Sequence, residues 1–267
     1  MSPTLAFWDD RSPGFEVFWE WIVDQRWEGW RLEVITAGEP ADLRPPSPEE
    51  AALHPWEPEA PRRPGERGFA AVEHLRAEVD PRVALIARRW DLVAVGVRGG
   101  GLLKKLGIGS TTDWLLRQPT SPLVIARRPG RVRRVLVATD GSAHAGRAID
   151  TLTSLPWIGE VEVAVLAVDD ETTGRDGTID RDGALAGALA GAARTLSARG
   201  LRFETVARGG SATPVIVEEI ESREPDLVVM GARGRGGIGR LVLGSTTAAV
   251  TAACDRSILV AHAASGT

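Results

Sequence analysis

Two stretches of this sequence carry glycines at one spacing: Gly231, Gly234 and Gly244 followed by Ser245 and Thr246, and Gly96, Gly99 and Gly109 followed by Ser110 and Thr111. Each lies where an apolar run ends and a helical stretch is about to begin. A glycine at the carboxyl end of a strand lets the backbone come close to a phosphate. The amides at the start of the next helix then point at the anion, with the helix dipole behind them. Ser245 and Thr246 add hydroxyl donors, so the chemistry this pattern serves is phosphate binding. A plainer reading is that the glycines only permit tight turns and that Ser245 only caps its helix. Two copies at matched positions favour the phosphate reading.

Two rival motifs fail on the same residues. Gly234-x-Gly236-x-x-Gly239 matches a dinucleotide fingerprint, but too little chain follows it to build the required βαβ unit. A P-loop needs Gly-Lys-Ser/Thr, and that triplet does not occur. Arg233, Arg235 and Arg240 are placed either to neutralise phosphate or simply to be solvated on a Gly-rich loop. His54, His74, His144 and His262 are scattered and spell no metal cluster or catalytic triad. Cys254 is the single cysteine, which excludes an intrachain disulfide and reads as a small buried side chain.

The elements that must position these glycines repeat as well. Asp91 to Ala126 aligns with Asp226 to Ala261 without a gap, and about a third of the positions are identical. This predicts two homologous domains, residues 1–128 and 131–267, joined near Arg127 to Arg131. In the second, Val132 to Thr139 reads as a strand buried on both faces, followed by a turn at Asp140-Gly141-Ser142 and helical spacing through Ala145, Ala148, Ile149 and Leu152. Strands over Val161 to Val168, Arg202 to Val206, Asp226 to Met230 and Ser257 to Ala261 alternate with helices over Ala184 to Arg199, Pro214 to Arg223 and Ser245 to Cys254. A polar loop, Asp169 to Gly183, precedes the Ala-rich helix. Such alternation predicts an α/β fold, an open and mostly parallel five-stranded sheet with helices on both faces.

The first domain begins alike, with Leu5 to Trp8 as a strand, Asp9 or Asp10 at the turn, Phe15, Phe18, Trp19 and Ile22 on one helix face, and Leu32 to Thr36 as the next strand. Residues 38–68 are instead proline-rich, which excludes a continuous helix and predicts a trimmed copy with a surface loop. Eight of the nine tryptophans, Trp8 through Trp114, fall in this half, where they rebuild a core lacking one helix or cover a domain interface.

At this point the residues resemble a family. Val135 to Ser142 is similar to the opening of ATP-binding universal stress proteins, and Met230-Gly231-Ala232-Arg233-Gly234 through Gly244-Ser245-Thr246 is similar to their phosphate loop. The resemblance covers nearly all of residues 131–263 and implies the adenine nucleotide alpha hydrolase-like fold, in tandem. It implies that Asp140, beside Thr139, meets the ribose and that Ala138 and Val168 flank the adenine. It also implies that Gly231 to Gly234, after Met230 and including Arg233, wrap the phosphates together with Gly244, Ser245 and Thr246. The ligand so implied is ATP, with magnesium as its accompanying ion. A second, weaker site would use Asp9, Gly96, Gly99, Gly109, Ser110 and Thr111, but Trp8 and Asp10 crowd and charge its mouth where the other copy has Thr139 and Gly141. Family dimers often pair their final strands, which implies that Leu123 to Ala126 meets Ser257 to Ala261 within one chain as an intramolecular domain pair; a homodimer is the further assembly expected.

The formal net charge of -4 without a long basic run argues against nucleic acid and anionic membrane as partners. No apolar run approaches the roughly 20 residues that span a bilayer, so a cytoplasmic protein is expected. Three functions fit: an ATP-binding regulatory protein of stress responses with an unidentified protein partner, an ATP-utilising enzyme of the wider fold group, and a nucleotide-free dimerisation scaffold. No carboxylate pair or activated nucleophile is legible, so the first is preferred and no catalytic residue or protein-held metal is assigned.

Overall fold

In the computed structural model the chain divides into two units, residues 1–131 and 132–267. The structure describes residues 2–9, 15–37, 57–58, 68–77, 79–96, 110–118, 120–169, 181–235 and 243–263. The expected loop 38–68 therefore lies almost wholly outside the described residues, as do Asp10, Gly99, Gly109 and Arg240.

The N-terminal unit runs β1 (Thr4–Asp9), α1 (Phe15–Asp24), β2 (Arg31–Ala37), β3 (Glu57–Pro58), β4 (Ala71–Ala77), α2 (Pro81–Ile86), β5 (Leu92–Gly96), α3 (Ser110–Leu116) and β6 (Leu123–Ala126). Its strands lie in the order β3-β4-β2-β1-β5-β6. All pairings are parallel except the two-residue β3, which lies antiparallel on the outside of β4. β4 and α2 are elements that the sequence reading did not resolve, and β3 is a sixth strand beyond the five expected. Asp80 caps α2 through Arg82 N (2.8 Å) and also binds the buried Arg82 side chain.

Tryptophans fill the core of this unit. Trp8, Trp19, Trp21, Trp27, Trp30 and Trp90 are all buried, each withdrawing a large apolar surface from water. Two of the indoles are satisfied locally: Trp27 Nε1 donates to Ile22 O (2.7 Å) and Trp90 Nε1 to Leu85 O (3.1 Å). Trp27 stands edge-on to Trp30 and stacks on Phe69, with centroids 5.5 and 5.8 Å away. These six tryptophans therefore pack as core.

The C-terminal unit runs β7 (Arg134–Ala138), α4 (Ala143–Ser154), β8 (Glu162–Asp169), α5 (Arg181–Ala198), β9 (Phe203–Gly209), α6 (Ala212–Arg223), β10 (Leu227–Gly231), α7 (Ser245–Ala253) and β11 (Ser257–Ala261). Its all-parallel sheet has the order β11-β10-β7-β8-β9. α4 packs on α5 and α6 on α7, so right-handed crossovers place one pair on each face. β10 and β11 are buried at every residue, as doubly covered strands must be. Gly200, with φ +68°, ends α5 in the left-handed conformation, and Leu201 N returns to Leu196 O (3.1 Å), as expected of a glycine cap. α5 starts earlier and β9 runs further than the sequence indicated, because tertiary packing outweighs weak local propensity.

Candidate functional site

Strand order reverses between β7 and β10: the chain moves outward from β7 to β8 and β9, then returns to lay β10 on the other side of β7. A crevice opens at the carboxyl ends of two strands whose connections leave in opposite directions, and that is where open α/β sheets bind ligands. The loop after β7 carries Thr139 to Ser142, the loop after β10 carries Ala232 to Arg235, and Gly244 leads into α7. The structure thus gathers residues that lie about a hundred positions apart in the chain.

Asp140 ties these loops together. Its Oδ1 accepts from Ser142 N (2.9 Å) and its Oδ2 from Arg235 N (2.8 Å). Ser142 caps α4 by accepting from Ala145 N (3.2 Å), and its hydroxyl donates to Arg233 O (3.1 Å). Thr139 is buried, with Oγ1 accepting from Gly141 N (3.1 Å), so it shapes the turn. Gly141 has φ +73°, and a Cβ there would lie 3.1 Å from the Ala188 backbone of α5. A Cβ on Gly234 would lie 2.7 Å from Asp140 Oδ2. Only glycine lets the two loops close on each other in this way.

The other sequence-marked residues divide by burial. Ala138 and Met230 are buried neighbours in the sheet, in register across β7 and β10. Val168, Arg233, Gly244 and Thr246 are half-buried, while Gly234 and Ser245 are exposed. A Cβ on Gly231 would lie 2.5 Å from Ala145 N and 2.7 Å from His144 C, so its close approach is to the first turn of α4. Gly244 is the N-cap of α7, and no side chain among the described residues caps that helix. The amides of its first turn consequently stand beside the Gly231 to Arg235 loop, held there by Gly244 N donating to Ala232 O (2.8 Å) and Thr247 Oγ1 donating to Gly231 O (2.8 Å). Ser245 is the first helical residue rather than the cap.

His144 is one of the four histidines scattered along the sequence. It sits beside Gly231, where its Nδ1 accepts from Ala263 N (2.9 Å) and its ring meets that of His262 edge-on. Burial and the nearby Arg233 charge lower its pKa, opposed by Asp140. A neutral ring is what the Ala263 hydrogen bond requires. A groove of about 480 Å³ lies at the opposite, amino-terminal ends of β7 and β8, lined among others by Arg134, Glu162, Glu204 and Arg223. It lacks helix N-termini and glycine loops, so the chemistry points to the carboxyl edge instead.

Residues 131–262 match the family model described as the universal stress protein family. The C-terminal half of this chain belongs to the universal stress protein family. Universal stress protein Slr1230 of Synechocystis is 28% identical over 60% of this chain, which spans 54% of that protein's length. A universal stress protein of Mycolicibacterium smegmatis is 27% identical over 72% of this chain and 69% of its own. The crystal structure of a universal stress protein from Archaeoglobus fulgidus shares the fold over 98% of this chain and 97% of its own, with a TM-score of 0.64 at 19% identity. The tandem α/β architecture expected from the repeat is thus seen in a full-length neighbour.

Apart from β3, the N-terminal unit repeats the strand order of the C-terminal unit, with a reversal between β1 and β5. Asp9 is the last residue of β1, buried and in register with Thr36. Thr111 is buried in α3, whereas its counterpart Thr246 is half-buried. The difference that sequence reading missed is Phe18. Its ring lies in the space a Cβ of Gly96 would take, at the strand-end glycine corresponding to Gly231. A bulky apolar residue in the first helix is the only sequence signal for it, and helical periodicity alone assigns such a residue to the core.

Proposed function

We propose that the C-terminal unit binds an adenine nucleotide, ATP in the first instance, and that the bound nucleotide sets a state read by a protein partner. The observation that carries this reading is the clasp of Asp140 over Gly234 at the sheet's reversal point. An ionised carboxylate offers about four lone-pair directions, and two are used by Ser142 N and Arg235 N. Those remaining can accept from a pair of ribose hydroxyls. Ala138 and Val168 supply apolar walls for a base. The glycine backbone of the β10 loop, the uncapped first turn of α7 and the Ser245 and Thr246 hydroxyls supply donors for phosphates. Arg233 and Arg235 add positive charge to the same loop.

Among the described residues no group of three His, Cys, Asp or Glu side chains could hold a metal. Magnesium would therefore enter with the triphosphate rather than on a protein site. No helix among the described residues is long and apolar enough to cross a membrane, and we place the protein in the cytoplasm. The N-terminal unit is the weaker site or none, since Trp8 and Asp10 stand where the C-terminal unit has Thr139 and Gly141.

Equilibrium dialysis of the full chain against labelled ATP tests this. Gly234→Val, which would push a branched side chain into Asp140, should abolish binding, and Gly99→Val should leave it nearly unchanged. Circular dichroism controls for folding. Loss with Gly99→Val alone would reverse the assignment, and no measurable binding by the unaltered chain would defeat it.

A further inference from the structure

Strand β9 is the outer strand of the C-terminal unit, and among the described residues it pairs only with β8, in parallel from Val163↔Phe203 to Asp169↔Gly209. Alternate residues of a strand turn their peptide groups to opposite sides. Gly210 N donates to Asp169 O (3.0 Å), so Glu204, Val206 and Arg208 address β8 in the same way. Phe203, Thr205, Ala207 and Gly209 present their N–H and C=O groups outward. An edge of this kind is a template for another strand, and proteins block it with proline, lysine or a covering segment. Phe203–Gly209 contains neither proline nor lysine. The corresponding edge in the N-terminal unit, β4, is covered by antiparallel β3, which ends in Pro58.

Helix α5 packs on β8 and β9, and from Gly183 to Ala193 it has no charged residue. A helix apolar on every side is normally buried on every side, yet Gly183, Ala186, Gly187 and Ala190 are exposed. Small side chains there would let a second helix approach closely.

We propose that β9 pairs antiparallel with β9 of a second copy of this chain, about a twofold axis at Val206, joining two C-terminal sheets edge to edge. The charge pattern selects this occupant and this register. Antiparallel pairing about Val206 sets Glu204 opposite the partner's Arg208 and Arg208 opposite the partner's Glu204. Parallel pairing would set like charges together. The outward-facing residues pair as Thr205 with the partner's Ala207 and Phe203 with the partner's Gly209. Glu204 and Arg208 then fall in the non-hydrogen-bonded positions, where facing side chains approach most closely. A sequence complementary to its own reverse is what a twofold interface requires. Both side chains are already ion-paired within the chain, Glu204 to Arg223 and Arg208 to Glu219, but they remain 61% and 55% exposed. A seven-residue edge with one small-residue helix face is a modest interface, so the dimer should be weak.

Sedimentation velocity of the full chain over a concentration series tests this. The unaltered protein should gain mass with concentration. Thr205→Pro removes an outward N–H without touching the β8 ladder, and it should eliminate that association step. Glu204→Arg and Arg208→Glu should each raise the dissociation constant at least roughly tenfold by setting like charges across the axis. An equal mixture of those two variants should recover the association, because the mixed pair has opposite charges at both contacts. The recovery guards against reading a folding defect as a lost interface. A constant monomer mass up to roughly 100 µM, association unchanged by Thr205→Pro, or no recovery on mixing would each overturn the proposal.

Discussion

In the C-terminal unit Thr247 Oγ1 donates to the carbonyl of Gly231, and in the N-terminal unit Thr112 Oγ1 donates to that of Gly96, at 2.8 and 3.4 Å. Asp226 accepts from Arg133 N and Arg134 N at the start of β7, and Asp91 accepts from Thr4 N at the start of β1. These repeated contacts fasten β10 to β7 and β5 to β1, and each of β10 and β5 to the helix that follows it. The units part company at the strand-end glycine. Gly231 admits the backbone of α4, whereas Gly96 admits the ring of Phe18. The repeated fastenings therefore report the sheet frame, and a matched glycine reports close packing.

The largest expected effect follows from that divergence. Gly231→Ala would drive a methyl into helix backbone that cannot rotate away, so it should cost more than about 3 kcal/mol. Gly96→Ala meets a side chain instead and should cost about 1–3 kcal/mol. Placing Gly96→Ala in a Phe18→Ala background should relieve most of its penalty, and differential scanning calorimetry would read both. Equal costs with and without Phe18 would break the comparison.

A smaller effect concerns the threonine hydrogen bonds. Thr247→Val preserves shape but leaves a buried carbonyl short of a partner, for a loss of about 1–3 kcal/mol. Thr112→Val removes a longer and weaker bond and should cost less than about 1 kcal/mol. Hydrogen exchange at Met230 and Val95 amides would follow each unit separately. A larger penalty in the N-terminal unit would mean that its frame, not only its mouth, differs.

The smallest effect is the pH dependence of His144. Its folded pKa lies below the ordinary 6.5, through burial first and then the Arg233 charge, with Asp140 opposing. His262 faces it as a further titratable ring. A depressed pKa means that the unfolded chain takes up the proton first, so the contribution is fully present above 6.5 and is lost as pH falls through the folded value. His144→Asn should flatten the acid-side decline in the Tm of the C-terminal unit and leave that of the N-terminal unit unaltered. An identical decline in both proteins would remove His144 from the account.

Much of the frame was legible because it rests on local rules. β-Branched apolar runs read as buried strands, and the duplicated glycines read as strand-to-helix turns. β4 and α2 were not legible. β4 exposes Ala71, Glu73 and Arg76 and buries Leu75, a weak alternation beside a proline-rich stretch. α2 is only six residues long, too short to show a helical period.

The sequence by itself determined the duplication, the α/β order and the residue types at the mouth of the C-terminal sheet, since each depends on near neighbours and spacing. Only tertiary structure decided how they are used. Asp140 meets Arg235 N across 95 positions of chain, Gly231 serves the first turn of α4, and Phe18 stands where the other repeat has helix backbone. Such contacts are set by strand order and packing at the sheet's reversal point. No local pattern encodes the distance between two loops that meet only when the sheet has formed.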